Sequence, residues 1–458
     1  MKAYYNEWLM LPKQRFNVPS IENALTFPLK SRDRITGYVH AYKVDKDYIW
    51  VPREFYNEEY LKKLSINLEY QLPDSYKVVN FRDHILLDAL EPKKNTQAKA
   101  FQALMNSAGG VLSLACGKGK TVLALKYAAF LRRPVLVIVE TTTLVEQWTE
   151  QAEKFLGLSV NKGDIGFMQG HPDTWSPKQN FVIGTIQSLA RHADSITDAM
   201  RRRFGLIVWD ECHHLSAPHY NKTAAIFPGL RLGLSATPER IDGLEDLYFH
   251  HIGPVIYRDY AQDLVPAVEF RQVDLGVDWN ADAVQDEILD RTGELSWTKL
   301  WGFIGENKTF QKEAVDLILA NAKRGRKILV LSSRIKTVKV VNEALNKATA
   351  GLSDVVMGST PQADRLQVLR NKQVTVASTK LAREAIDEPT LDTLVILEPF
   401  KDPYTLRQAV GRILRTCSTK KAPKVFVLAA KQGPGRGMMF AMRKNFVQWP
   451  KRPKVTIT

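Results

Sequence analysis

At 458 residues the chain is too long for one ordinary hydrophobic core, and two or three domains are expected. Its 45% hydrophobic and 25% charged residues are those of an ordinary globular protein, and its net charge of +15, with a pI near 9.5, favours a polyanionic partner: nucleic acid or an acidic membrane surface. A generally basic surface would give the same number. Three scattered cysteines (Cys116, Cys212, Cys417) exclude a disulfide framework or a spaced metal cluster and suit a reducing cytosol. The start, MKAYYNEWLMLPK, lacks the apolar run of a secretory leader, and no stretch approaches the ~18 apolar residues that cross a bilayer, so a soluble, cytoplasmic protein is expected, read as a monomer in solution.

Residues 1–88 read as a small α/β accessory domain for DNA recognition. YVHAYKV and DYIWVP flank Asp45-Lys46 as a hairpin, and NEEYLKKLSINLEY places Tyr60, Leu61, Leu64 and Leu68 at helical spacing. The aromatics Tyr4, Tyr5, Trp8, Trp50, Phe55 and Tyr56 would serve either as core or as stacking platforms for bases. From residue 89 to 275 the pattern becomes strand, loop, helix. VLSLA, PVLVIVE, NFVIGT, GLIVWDE and LRLGLSAT are short, β-branched and almost uncharged, as parallel strands covered on both faces must be. Residues 276–308, acidic and holding Trp279, Trp297 and Trp301, read as a linker with some helix. KILVLSS, LSDVVMG, QVTVAST, TLVILEP and KVFVLAA then build a second α/β half over 309–458. From Lys401 onward fourteen Lys/Arg stand against the single acid Asp402, a segment able to track phosphates or to form a solvated tail.

Two motifs carry the chemistry. LACGKGKT (Leu114–Thr121) follows an apolar strand and opens a helix. Gly117 and Gly119 let backbone N–H groups around Lys118 turn inward on phosphate oxygens, Lys120 reaches the β- and γ-phosphates, and the Thr121 hydroxyl can ligate Mg²⁺. Leu114 stands where the strict phosphate-loop pattern has glycine. VWDECHH ends a buried strand in Asp210 and Glu211: the first carboxylate is placed for Mg²⁺, the second for polarising water.

GKGKT, DECHH and SATPER, followed by STKLAREAIDEP and QAVGRILR, resemble motifs I, II, III, V and VI of superfamily-2 DExH helicases, and TTTLVEQW and GTIQSL resemble the motifs between. The likeness runs from about Gln97 to Arg415, roughly 70% of the chain. DECHH, EQW and the small N-terminal domain resemble the XPB and UvsW group, whose compact phage members remodel forks, D-loops and Holliday junctions.

The resemblance implies two tandem RecA-like lobes with parallel sheets that hydrolyse ATP with Mg²⁺ and move on DNA without sequence preference. Lys120 would stabilise the γ-phosphate, Thr121 and Asp210 hold the metal, and Glu211 orient the lytic water. Gln408 would sense the phosphate, Arg412 and Arg415 act as arginine fingers, and Gln97 read adenine although Thr96 stands where an aromatic is usual. His213, Ser235, Thr237 and Asp387 would couple hydrolysis to lobe closure, and Thr185, Thr360, Ser378 and Thr379 grip the phosphate backbone, unless these hydroxyls only cap turns. Glu384-Ala385-Ile386-Asp387 departs from the usual Glu-Gly-x-Asp. An RNA helicase would carry the same motor motifs, and a restriction-type motor would need a nuclease partner. Membrane binding is not expected.

Overall fold

The computed structural model describes residues 2–31, 34–73, 75–87, 96–115, 117–236, 238–239, 242–260, 264–384, 388–415, 417, 419–449 and 451–458. Thr237, Asp387, Cys116, Ala385 and Ile386 lie outside the described residues. The chain forms two compact units, Met1–Tyr260 and Ala261–Thr458.

The first unit opens with strands β1 (Lys2–Tyr5), β2 (Leu9–Pro12), β3 (Thr26–Ser31), β4 (Arg34–His40), β5 (Lys43–Val44), β6 (Tyr48–Val51) and β7 (Asn67–Tyr70). Five of them form a mixed sheet in the order β5-β6-β2-β1-β7, while β3 and β4 pair as a separate antiparallel hairpin. The turn foreseen at Asp45-Lys46 joins β5 to β6: the Asp45 carboxylate accepts from the backbone N–H groups of Asp47 and Tyr48 and from Trp50 Nε1. The helix foreseen through Tyr70 covers only Glu58–Lys63. Ser65 turns the chain at a φ of 55°, and the remainder becomes β7, parallel to β1.

This sheet is not a separable module. Its core (Ala3, Leu9, Leu11, Ile49, Val51, Leu61) takes in Leu244 and Leu247 from the RecA-like part of the same unit. Beneath it the fully buried Arg231 guanidinium donates to the carbonyls of Glu7 (2.8 Å), His251 (2.8 Å) and Phe227 (3.2 Å), and Arg53 donates to those of Pro228 and Gly229. Residues 75–87 then run without regular structure along the lobe, where Val79 N donates to Arg132 O, His84 N to Phe155 O, and Asp83 pairs with Lys126.

The rest of the unit is a RecA-like α/β lobe. Strands β8 (Gly110–Leu114), β9 (Val135–Val139), β10 (Ile165–Met168), β11 (Phe181–Thr185), β12 (Leu206–Trp209), β13 (Leu230–Ser235) and β14 (Val255–Asp259) form one parallel sheet in the order β10-β11-β9-β12-β13-β8-β14. Alternate side chains feed opposite layers: Val135, Val137 and Val139 pack with Leu112 and Leu114, while Leu136 and Ile138 pack with Val111 and Ile207.

The second unit repeats the plan. Strands β15 (Ala267–Val273), β16 (Ile328–Ser332), β17 (Ser353–Val356), β18 (Val374–Ser378), β19 (Thr393–Ile396), β20 (Lys424–Ala430) and β21 (Val455–Ile457) give the parallel order β17-β18-β16-β19-β20-β15-β21. Two sequence expectations change here. Ala267–Val273, counted with the first lobe, is a strand of the second sheet, so the units divide near residue 260 rather than 275. The segment expected as a linker supplies helices Asp282–Ile288 and Trp297–Glu306, whose Ile288, Leu300, Trp301 and Ile304 are buried in the second unit's core. The basic C-terminal segment is not a loose tail either: helix Arg436–Val447 buries Met439, Met442 and Phe446, and β21 closes the sheet edge. No helix among the described residues is long and apolar enough to cross a membrane.

Candidate active site

The strand order determines which motifs meet. β13 lies between β8 and β12, so the loop leaving β8, the acids leaving β12 and the last residue of β13 share one carboxyl edge. After Leu114, Gly117 and Gly119 take φ values of 82° and 85°, and helix Lys120–Leu131 begins directly behind them. Only glycine is comfortable at 119: besides its left-handed backbone, a Cβ there would come within 2.4 Å of Gln97 Nε2. Gln97 lies on helix Thr96–Met105 and donates to Lys118 O, so it sits against the phosphate loop. Lys120 Nζ donates to Leu114 O at 3.2 Å, folding the side chain back over the loop. Thr121 is half-buried in the first turn of the helix.

Asp210 leaves β12 half-buried. Burial, and then the charge of Glu211, push its carboxyl up to about 6, opposed by a 2.8 Å hydrogen bond from Trp148 Nε1 and by the Lys120 charge. Trp148 belongs to helix Thr142–Leu156, capped by the Thr141 hydroxyl. The sequence reading passed it over as a site residue, although EQW was its signal. Glu211 occupies the left-handed backbone region (φ 48°), uncommon for a side chain of this size. Its Oε2 is buried, accepts no hydrogen bond and stands 3.4 Å from His213 Nδ1, which in turn lies 3.5 Å from Ser235 Oγ. His214 pairs with Glu140 at 2.8 Å. Burial and the two acids raise the Cys212 thiol, so it is held protonated and unreactive.

The first unit thus gathers Gln97, the glycine loop with Lys118 and Lys120, Thr121, Asp210, Glu211, His213 and Ser235 at one sheet edge. The set fits a nucleoside triphosphate with a hard divalent cation: backbone amides and a lysine for phosphate, a hydroxyl and a carboxylate as oxygen ligands, and a buried carboxylate oxygen with unused acceptor capacity.

Thr185 does not present a free hydroxyl to solvent. It is buried, caps helix Ile186–Arg191 and donates to Ser188 Oγ at 2.8 Å. In the second unit, Thr360 Oγ1 accepts from Met357 N, and the buried Arg365 fixes that turn through the carbonyls of Gly358 and Thr360. Ser378 ends β18 and Thr379 opens helix Thr379–Glu384, both half-buried. Gln408 is buried on helix Pro403–Arg412, Arg412 closes that helix, and Arg415 comes three residues later with Lys420 Nζ on its carbonyl at 2.7 Å. Sequence reading also passed over Glu398, buried at the exit of β19, which accepts from Ser332 Oγ (2.6 Å) and Ser333 N (2.8 Å).

Comparison with known proteins finds family matches in both units. The family described as type III restriction enzyme, res subunit, matches residues 89–240, and the helicase conserved C-terminal domain matches 311–417. The chain is 31% identical over 207 residues to the DNA 3'-5' translocase XPB2 of Sulfurisphaera tokodaii, covering 45% of this chain. The chain belongs to the superfamily-2 helicases, close to the XPB group. The match spans 43% of the archaeal protein's length, less than half of it. Among the helicases, a putative ATP-dependent RNA helicase of Acanthamoeba polyphaga mimivirus is 25% identical over 94% of this chain and 83% of its own. In fold, the chain resembles a DNA-bound type ISP restriction-modification enzyme, LlaBIII, with a TM-score of 0.57 and 17% identity over 88% of this chain and 34% of that one.

Proposed function

We propose that this helicase-family chain hydrolyses ATP and uses the cycle to move along DNA, remodelling branched substrates such as forks, D-loops and Holliday junctions. The observation that carries the reading is the single edge where the glycine loop, Lys120, Asp210 and Glu211 converge, with Glu211 Oε2 buried and accepting no hydrogen bond. Lys120 neutralises charge on the terminal phosphate, and the loop amides hold the preceding phosphates. Thr121 and Asp210 would hold Mg²⁺, which when bound draws charge from the phosphate oxygens. Asp210 is aimed by Trp148 rather than left to rotate. Glu211 takes the proton of the attacking water, and His213 relays its state to Ser235 on the neighbouring strand. The family resemblance gives Gln408, Arg412 and Arg415 the task of stabilising charge on the transferred group. Ser378, Thr379 and Thr360 serve phosphate-backbone binding, which makes affinity salt-sensitive and sequence-independent.

The test is an ATPase and unwinding panel with a fork, a Holliday junction, a D-loop and an RNA duplex. The Lys120→Ala and Glu211→Gln variants should lose turnover by about a hundredfold or more while still binding DNA. Normal ATPase in Glu211→Gln would remove the assignment of the base. The mimivirus relative's name supports a second reading, an RNA helicase, which stimulation by the RNA duplex alone would establish.

A further inference from the structure

The first-domain aromatics that the sequence nominates for base stacking are engaged elsewhere. Tyr4 meets Tyr48, Tyr5 meets Tyr70, Phe55 and Tyr56 meet each other, Trp8 meets the ring of His251, and the Trp50 indole is held by Asp45. The β3–β4 hairpin differs. Its inner side, Phe27 and Val39, packs into the domain core with Leu29 behind it. On its outer side Tyr38 lies opposite Pro28 and is 56% exposed, and among the described residues it has no ring partner. A register shift between Leu29 and Lys30 sets Ile35 opposite Lys30, which brings Ile35, 54% exposed, onto the same side as Tyr38. Without the shift, residues 35 and 38 would point to opposite faces. Arg34 next to them is exposed, and residues 26–43 hold four Lys/Arg against one acid.

We infer that this outer hairpin face is a stacking surface for an unpaired nucleic-acid strand, with Tyr38 as the platform, Ile35 as an apolar wedge beside it and Arg34 on the backbone phosphate. The inference rests on the nucleic-acid motor reading. Charge selects the occupant: an apolar peptide would need no basic flank, whereas a single strand offers bases to the ring and phosphates to the guanidinium.

The experiment uses the full chain, a forked DNA carrying 2-aminopurine in the unpaired arm beside the junction, and a blunt duplex of equal length. Tyr38→Ala should weaken fork binding about 5- to 100-fold and abolish the change in 2-aminopurine emission. It should leave blunt-duplex affinity and DNA-free ATPase unchanged, and Tyr38→Phe should behave as wild type. Ile35→Ser should reduce the emission change without altering phosphate-driven affinity. Wild-type fork binding by Tyr38→Ala overturns the inference, as does equal loss in Tyr38→Phe and Tyr38→Ala, since the ring would then not be the cause. If wild-type protein shows no ATPase stimulation by any nucleic acid, the motor reading itself falls. Stimulation retained with Tyr38→Ala indistinguishable from wild type removes only the hairpin.

Discussion

Replacing Arg231 should cost this protein more stability than almost any other single change. The side chain is fully buried in β13, and its guanidinium is held by three carbonyls, those of Glu7, His251 and Phe227. Arg231→Ala leaves two buried carbonyls and the part-buried one of Glu7 short of a donor, each buried one worth about 1–3 kcal/mol. Part of that is returned because the cation is itself badly placed: burial first, and then the neighbouring Arg53 charge, pull its pKa well down. The net loss should be about 3–5 kcal/mol, a large share of the 5–15 kcal/mol that holds an ordinary domain folded. Arg231→Met keeps most of the volume and removes the buried charge, so its loss should be about half as large. Urea unfolding followed by circular dichroism gives the magnitude, and hydrogen exchange at residues 7–11 shows whether the Glu7 bond anchors the N-terminal sheet. An alanine variant within about 1 kcal/mol of wild type, or one that is weakened while exchange at residues 7–11 stays slow, would refute the reasoning.

Two more outcomes rest on particular side chains. Gly119→Ala forces a Cβ toward Gln97 Nε2 and strains a left-handed backbone, so nucleotide affinity measured with a fluorescent ATP analogue should fall about tenfold, while thermal stability drops by about 1 kcal/mol. Glu398 is raised to about 7 by burial, against the Ser332 and Ser333 hydrogen bonds and the Arg334 charge. The folded state therefore holds its proton between about 4.5 and 7 while the unfolded state releases it, so stability should fall as pH rises across that window, by up to about 1.4 kcal/mol per pH unit. Glu398→Gln should flatten that slope in urea unfolding, and an unchanged slope would place the titration elsewhere.

The phosphate loop, the paired acids and most central strands were legible because their signals are local. Short, nearly uncharged runs rich in valine and isoleucine fit strands covered on both faces, and closely spaced glycines before a helix can cradle an anion. What escaped was long-range. Ala267–Val273 reads as one more buried strand, and nothing within it says which of two similar sheets it joins; its partner β20 begins more than 150 residues later. The acidic stretch with Trp297 and Trp301 looked like a linker because its acidity breaks the strand–helix pattern, yet Trp301 is buried in the second core and Trp297, one turn earlier on the same helix face, packs its ring against it at 5.8 Å. Trp148 could be placed on a helix but not seen to aim Asp210, since that pairing spans 62 residues. Thr185 shows the cap that the sequence left open as an alternative: its hydroxyl accepts from Ser188 N at the start of its own helix.

The arginine-sealed seam beneath the first sheet also bears on how the polypeptide is made. Residues 2–70 leave the ribosome ahead of the groups that close their underside, since those carbonyls, leucines and guanidinium come from residues 227–251. At roughly 5–20 residues per second, that leaves about 10–40 seconds in which a nascent sheet carrying Leu9 and Leu11 waits for its floor. Chaperone occupancy on the emerging chain should be concentrated in that interval and end abruptly once residue 251 is out.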